Sequence, residues 1–163
     1  EIYTLSLHDA LPISIHFFGR VKEMLVAGGL YLNHGIHHEF HWKRTSQTDF
    51  LYRYVFPNGD LSGVTETLTE MERAGWELLD LENLRLHYAR TCRQWAERLK
   101  GRADEARAIV GEQIYRTWLL YLTCSSVAFA SGSIGLYQVL MQKQWDQTRG
   151  PAPTTREGIY ANW

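Results

Sequence analysis

One segment limits the possible folds of this chain more than any other: residues 28–36, which read Gly-Gly-Leu-Tyr-Leu-Asn-His-Gly-Ile. Two glycines lead into an apolar run that is continuous rather than alternating, a pattern typical of a strand covered by helices on both faces of a parallel sheet. We therefore predict a buried central strand over residues 30–36, with His34 near its C-terminal end. Ligands bind at that end of the strands in an open α/β sheet, so His34 is the first candidate site residue.

Helical and turn signals flank this strand. A short amphipathic helix that ends before Gly28 is predicted from apolar residues at helical spacing, namely Phe17, Phe18, Val21, Met24 and Leu25. Residues 37–47 are polar, rich in histidine and without period, which predicts a loop that can lie over a ligand. Pro57-Asn58-Gly59 predicts a turn, because proline presets φ and Asn-Gly tolerates positive φ.

The next part of the chain predicts a helix followed by a strand. Ser62 is the expected N-cap, Glu66 suits the first turn, and Gly75 ends the helix. Val64, Leu68 and Met71 share one face of it. Strands are predicted over residues 76–81 and 133–141, and these two late strands are expected to pair antiparallel.

Between the late strands lies a predicted helical pair. One helix is expected over residues 86–100 and a longer one over 104–130, with a break at Gly101-Arg102. The longer helix has a predicted apolar side made of Ile109, Val110, Ile114, Trp118, Tyr121, Leu122, Ser125 and Phe129. Its apolar run over 118–130 is too short and too interrupted by hydroxyl residues to cross a bilayer.

Composition excludes some classes of function. The chain has 163 residues and a formal net charge of −1, and it has no run of five Lys or Arg. There is thus no electrostatic reason to expect a nucleic acid or an anionic membrane as a partner. Cys92 and Cys124 lie far apart without Cys-x-x-Cys spacing, which argues against a structural zinc site or a disulfide framework and fits a reducing cytoplasm. We expect both thiols to be buried.

Three blocks together carry a family resemblance. They are residues 28–36, residues 52–61 (Tyr-Arg-Tyr-Val-Phe-Pro-Asn-Gly-Asp-Leu) and residues 82–91 (Glu-Asn-Leu-Arg-Leu-His-Tyr-Ala-Arg-Thr), the last followed by Trp95. In that order and at those separations they resemble the C-terminal half of the cyclopropane-fatty-acyl-phospholipid synthase family of S-adenosylmethionine-dependent methyltransferases. The resemblance covers about residues 17–145, and residues 151–156 are similar to the tail of some members.

The resemblance implies an α/β fold, the C-terminal fragment of a class I methyltransferase (Rossmann-like) sheet with an inserted helical cap. Residues 14–145 would be the C-terminal part of the methyltransferase domain, with a helical acyl-binding insertion over about 84–131 and a tail over 146–163. Residues 1–13 resemble a translated sequencing adapter, so we predict an artefact there and exclude it from fold and site reasoning.

Methyl transfer from a sulfonium to an alkene makes particular demands on a site. The nucleophile is a neutral π bond, so no base is needed until a carbocation forms and must lose a proton. The site must then be dry, rimmed by aromatic faces and equipped with one base. The resemblance implies that a bound bicarbonate is that base, held by His34, the main chain of Ile36, and Tyr88. The family pattern also needs a cysteine and a glutamate earlier in the chain, and neither Cys92 nor Glu39 is at the matching place.

The remaining expectations concern the lipid and the methyl donor. Candidates for the substrate-lining wall are the aromatic residues Tyr54, Phe56, Trp95, Trp118 and Tyr121. No Gly-x-Gly-x-x-Gly occurs, so the S-adenosylmethionine site is expected upstream of this fragment, which by itself should be inactive. The parent enzyme is expected to act on the unsaturated acyl chain of a phospholipid. It would be cytoplasmic, with peripheral contact at the inner membrane face.

Alternatives remain open. The same scaffold serves methyltransferases acting on small amines or phenols, and a non-catalytic fragment with exposed strand edges is a third interpretation. His34, His37, His38 and His41 would align as zinc ligands on a helix, but Gly35 and the strand pattern favour no metal. Cyclopropanation and simple methylation share one carbocation and differ only in the proton that leaves, so both remain alternatives.

Overall fold

The computed structural model describes residues 11–57, 59–144 and 155–157, with side chains from Ile15 onward. Most of the predicted artefact and most of the predicted tail therefore lie outside the described residues. The three proposed domain boundaries stay predictions.

Five helices and three strands form the described part of the chain. The elements are α1 Leu11–Met24, β1 Leu30–His38, α2 Ser46–Tyr54, α3 Val64–Arg73, β2 Trp76–Asn83, α4 Arg85–Gly101, α5 Ala103–Ser131 and β3 Ile134–Lys143. The predicted helices and strands are confirmed in type and order. The predicted loop after β1 is shorter than expected, because β1 continues to His38 and α2, capped by Thr45, begins at Ser46.

The sheet has the order β1-β3-β2, and both outer strands run antiparallel to β3. The predicted antiparallel pairing of the two late strands is thus confirmed. Because β1 and β2 both oppose β3, they run parallel to each other and their C-terminal ends reach the same edge of the sheet. The amide of Leu84, just after β2, donates to the carbonyl of Leu136 at 2.8 Å, and Leu136 pairs with Ile36, so α4 begins beside the end of β1. This topology positions the candidate site.

The prediction that β1 is a buried central strand is wrong for the described residues. Leu30 and Leu32 are 47% and 52% exposed. Among these residues β3 is the one strand that pairs with β1, apart from a single bridge between His38 and Gly63, and the helices α4 and α5 cover the sheet around Ile36 rather than along the whole strand. The continuous apolar pattern therefore marks a strand with one open edge and one partly uncovered face.

Two apolar clusters lie on opposite faces of the sheet. The first joins α1, α3 and the sheet through Phe18, Met71, Trp76, Val139 and Met141. The second joins α4, α5 and the sheet through Ala89, Cys92, Phe129 and Leu136. Complete burial of a ring such as that of Phe129 contributes about 1.5–3 kcal/mol, so the second cluster fixes the helical pair on the sheet.

The start of α3 differs from the prediction by one residue. Gly63, not Ser62, is the N-cap, and its amide donates to the Glu66 carboxylate at 2.9 Å. The Ser62 hydroxyl instead bonds the hydroxyl of Thr67 at 3.0 Å. The reason is that Glu66 reaches back to satisfy the free amide from the helix side. Gly75 ends the helical region with φ 80, as predicted.

The predicted turn at residues 57–59 is partly described. Gly59 donates its amide to the Phe56 carbonyl at 3.0 Å, which is the hydrogen bond of a turn. Asn58 lies outside the described residues.

The helical pair α4 and α5 is present, but the second helix is not continuous as predicted. Gly111 has φ 80 and ψ 165, which interrupts α5. The interruption shifts the helical phase, so the predicted apolar side is not buried along its length. Leu122, Ser125 and Phe129 are buried, whereas the residues before and just after the break, Ile109, Val110, Ile114 and Trp118, are exposed.

One arginine ties the two helices together. Arg85, the first residue of α4, donates to the carbonyls of Phe129 at 2.5 Å and Ala130 at 2.9 Å, at the end of α5. A cation at a helix C-terminus also complements the helix dipole. No helix in the described part of the chain is long and apolar enough to cross a membrane.

Candidate active site

His34 and Tyr88, the two side chains expected to converge, are neighbours. Their ring centroids are 6.4 Å apart and the rings meet edge to face. β1 delivers His34 near its C-terminal end, and Tyr88 lies in the first turn of α4, which starts at the same edge of the sheet. They are far apart in sequence, and the β1-β3-β2 strand order brings them together.

Gln138 on β3 holds the imidazole of His34. The two residues face each other in the β1–β3 register, and the Gln138 amide nitrogen donates to His34 Nδ1 at 3.2 Å. A neutral histidine that accepts at Nδ1 carries its proton on Nε2. His34 thus presents an N–H donor away from the sheet. Gln138 is not among the site residues predicted from the sequence, although a polar residue in the middle of an apolar strand was a usable signal.

Tyr88 lies in an aromatic cluster that keeps its phenol protonated. Its ring meets Phe129 at 5.0 Å and Trp95 at 5.8 Å, both edge to face. Burial raises the pKa of Tyr88, and the nearby Cys92 raises it further. A phenol with a raised pKa remains neutral at physiological pH and can donate a hydrogen bond to an anion.

The two cysteines differ from the expectation that both are buried. Cys92 is buried, and burial raises the pKa of its thiol. Cys124 is only half-buried because it lines a cavity beside α5. Neither thiol contacts the other, in keeping with free cysteines.

A cavity of about 370 Å³ lies between α2, the loop after β1, and α5. Ile36, Phe56 and Tyr121, which the sequence singled out, line it together with Leu51 and Phe129. Its wall is mainly apolar, with the hydroxyls of Ser125 and several loop residues as polar exceptions. Phe129 links the cavity to the histidine–tyrosine pair, because its ring also packs against Tyr88.

Tyr121 has a position between the cavity and the aromatic cluster. Its ring packs edge to face against Phe56 at 5.5 Å and Trp118 at 5.5 Å. Burial raises the pKa of Tyr121, a hydrogen bond with Ser125 lowers it, and the nearby Cys92 and Tyr88 raise it. Tyr121 is therefore a second neutral phenol close to Tyr88.

The other predicted wall residues lie outside this cavity. Trp95 and Trp118 reach it only through their ring contacts with Tyr88 and Tyr121. Tyr54 lies on a separate, more open cleft between α2 and α5, next to Arg116.

The histidines after His34 do not form the helical row that the zinc alternative requires. Residues 34, 37 and 38 lie on a strand, so His37 points to the opposite face from His34. His37 is 3% exposed and donates from Nδ1 to the Gly35 carbonyl at 3.1 Å. His38 stacks on Trp42. No group of three or more His, Cys, Asp or Glu in the described ranges is placed to hold a metal ion.

Comparison with solved structures defines the class of fold. The chain matches the cyclopropane synthase MmaA2 from Mycobacterium tuberculosis with TM-score 0.77 and 27% identity, over 82% of this chain and 50% of that one. It matches mycolic acid cyclopropane synthase CmaA1, complexed with SAH and CTAB, with TM-score 0.76 and 24% identity, over 83% and 50% of the two chains. The fold is therefore the α/β fold of about half of a class I S-adenosylmethionine-dependent methyltransferase.

The family follows from sequence. Residues 13–139 match the family model described as mycolic acid cyclopropane synthetase. A probable fatty acid methyltransferase of Pseudomonas putida is 39% identical over 146 residues, which are 88% of this chain and 36% of that protein. This chain belongs to the mycolic acid cyclopropane synthetase family. It spans about a third of the length of this curated relative and half the length of the solved structures.

Proposed function

We propose that the full-length protein containing this chain transfers a methyl or methylene group from S-adenosylmethionine to the double bond of an unsaturated phospholipid acyl chain. One observation carries the proposal: the His34–Tyr88 pair adjoins an apolar cavity, and Phe129 touches both. The name of the Pseudomonas putida relative, a probable fatty acid methyltransferase, supports a fatty acyl chain as the substrate. This chain would supply the acyl cavity and part of the base site, and would be inactive alone.

The residues fit an anion better than they fit the methyl donor. When bound, S-adenosylmethionine supplies an electrophilic methyl group, but this chain has no glycine-rich turn after a strand to hold its nucleotide. His34 and Tyr88, by contrast, offer two neutral donors on adjacent rings. We propose that they hold a bicarbonate ion with the main chain of Ile36. The ion would accept the proton that the alkylated acyl chain loses.

The aromatic residues would protect the charged stage of the reaction. Tyr88, Tyr121, Phe56 and Phe129 present ring faces or edges around a space with little polar surface, which excludes water and tolerates a carbocation. Trp95 and Trp118 extend this surface, and we keep them as proposed lining residues. Tyr54 would act only if the acyl chain also reaches the α2–α5 cleft.

The test is an assay of the full-length protein with unsaturated phospholipid and the methyl donor, read by mass spectrometry of the acyl chains. His34→Ala and Tyr88→Phe should each lower turnover by 10²-fold or more, as expected for loss of a proton-transfer site. Matched controls are His16→Ala on α1 and Tyr31→Phe on the opposite sheet face, which should keep turnover. Unchanged turnover in both site variants would refute the base site. Methylation of a small amine instead of lipid would refute the substrate.

A further inference from the structure

The net charge of −1 conceals a strong asymmetry. Residues 85–102, which are α4 and its cap, contain six of the chain's 17 Lys and Arg but only one of its 18 Asp and Glu. This stretch therefore carries a charge of +5, which leaves −6 for the rest of the chain. Composition alone argued against an anionic membrane, but the charge is concentrated on one helix.

Three of the six cations of this stretch, Arg90, Arg93 and Lys100, lie on one side of α4. With Leu86 they follow one another at spacings of four, three and seven residues, so they share a stripe, which also carries the single acidic residue of the stretch, Glu97. Tyr88, which faces His34, lies on the opposite side of the helix. The stripe therefore points away from the sheet and from the candidate active site.

The neighbouring helix continues this surface. On α5, Arg116, Leu120 and Val127 have spacings of four and seven residues and lie on the side away from Tyr121. Three apolar side chains on the combined surface are well exposed: Leu86 by 58%, Leu120 by 48% and Val127 by 61%. We call the surface formed by these residues and the stripe on α4 the outer hairpin face.

The cations of this face lack intramolecular partners. Among the described residues no hydrogen bond or ion pair engages Arg90, Arg93, Lys100 or Arg116. Arg107, on the same hairpin, shows the contrast, because it pairs with both Asp104 and Glu112. Unpaired cations interspersed with exposed aliphatic side chains are typical of helices that lie in the interface of an anionic bilayer.

We propose that the outer hairpin face docks the protein on an anionic phospholipid bilayer. This inference rests on the proposed function, since the substrate would be an acyl chain of that bilayer. Arg90, Arg93, Lys100 and Arg116 contact lipid phosphates, while Leu86, Leu120 and Val127 enter the boundary between head groups and acyl chains. Tyr121 and Ser125 on another side of α5 line the cavity, so docking would place α5 between the cavity and the lipid.

The test is co-sedimentation of the full-length protein with vesicles of phosphatidylglycerol and phosphatidylcholine, against vesicles of phosphatidylcholine alone. Each cation near an anionic surface strengthens binding about fivefold, so Arg93→Glu should weaken binding more than tenfold. The control Arg20→Glu changes charge equally on exposed α1 and should bind as the parent protein does. Val127→Asp should weaken binding even at high salt. Circular dichroism establishes that each variant is folded.

Turnover of a short-chain unsaturated lipid dispersed as monomers separates this inference from the proposed function. Arg93→Glu should keep its turnover of the monomeric lipid but lose turnover of lipid presented in vesicles. Equal binding by Arg93→Glu and Arg20→Glu would overturn the docking face, whatever the enzyme's activity. Arg93→Glu would also overturn the docking face if it bound vesicles normally but lost turnover of acyl chains carried on an acidic protein. The face would then recognise a protein and not a bilayer. A different result is that the parent protein binds vesicles, and loses that binding in Arg93→Glu, yet shows no turnover of any lipid. That result would overturn the proposed function and leave the docking face intact.

Discussion

At the scale of single residues, the candidate site depends on hydrogen bonds that orient the donors as well as on the donors themselves. Gln138 acts through His34: its amide occupies Nδ1, so the proton stays on Nε2. Burial keeps Tyr88 in its neutral form by raising the pKa of the phenol. Both effects leave the pair with hydrogen-bond donors that an anion could accept from.

Replacement of the orienting amide should reduce activity only through His34. We predict that Gln138→Leu lowers turnover of the full-length enzyme about fivefold, the equivalent of a lost hydrogen bond worth ~1 kcal/mol. It should also move the pH profile, because the imidazole loses its fixed tautomer. A double variant with His34→Ala should be no slower than His34→Ala alone. Additive losses would mean that Gln138 acts elsewhere.

At the scale of elements, the α4–α5 hairpin is organised by its ends and by one break. Arg85 fastens the end of α5 to the start of α4, which holds Phe129 against Tyr88. Gly111 separates the exposed first part of α5 from the part that lines the cavity. The hairpin is therefore held in place next to the sheet, and α5 is interrupted at Gly111, nearer the tip of the hairpin.

The break at Gly111 requires glycine. Its φ of 80 and ψ of 165 belong to a region that residues with a side chain rarely adopt, although nothing lies within 4 Å of the added Cβ position. Gly111→Ala should lower the free energy of unfolding by about 1–3 kcal/mol. Gly101→Ala, at a helical position also free of contacts, should raise it by about 0.5–1 kcal/mol.

Urea unfolding of the two alanine variants of the full-length protein provides the measurement. The two variants should change the free energy of unfolding in opposite directions. Since neither substitution creates a steric clash, this difference reports backbone strain at Gly111. If Gly111→Ala were as stable as the parent protein, α5 would be able to run straight through this position.

At the scale of the whole molecule, the sheet separates two environments. The face carrying Trp76 and Met141 is packed by α1 and α3, and the other carries the candidate site beneath α4 and α5. His37 belongs to the first face, buried beside Tyr137 with ring centroids 5.6 Å apart. It is a titratable group whose burial disfavours the charged form.

Acid should destabilise the molecule through His37. Burial lowers the pKa of His37 below its usual 6.5, the Gly35 carbonyl raises it in part, and His38 lowers it. The unfolded chain therefore takes up the proton first, so stability is full above about pH 6.5 and declines as pH falls toward the lower folded pKa. His37→Gln should remove this component, seen as a smaller change in urea midpoint between pH 7.5 and pH 5.5 than in the parent protein.

Much of the local structure was predictable because it depends on short-range signals. Apolar spacing and glycine positions indicated α1, α3, α4 and the three strands, and the blocks around His34 and Tyr88 indicated the family. The errors share a cause: burial and helix continuity depend on partners distant in the chain. Gly111 looked like one small residue within a helical pattern, and Leu30 and Leu32 looked buried because the pattern does not reveal how much of the sheet the helices cover.

The sequence by itself determined most of the elements and the family, and it singled out His34 and Tyr88 as candidates, because periodicity, turn chemistry and motif spacing are properties of neighbouring residues. Only the tertiary structure decided that β3 lies between β1 and β2, which brings His34, Tyr88 and Gln138 together. It also decided which aromatic residues face the cavity and which side of α4 carries the cations. These arrangements follow from strand order and helix packing, which join residues far apart in sequence.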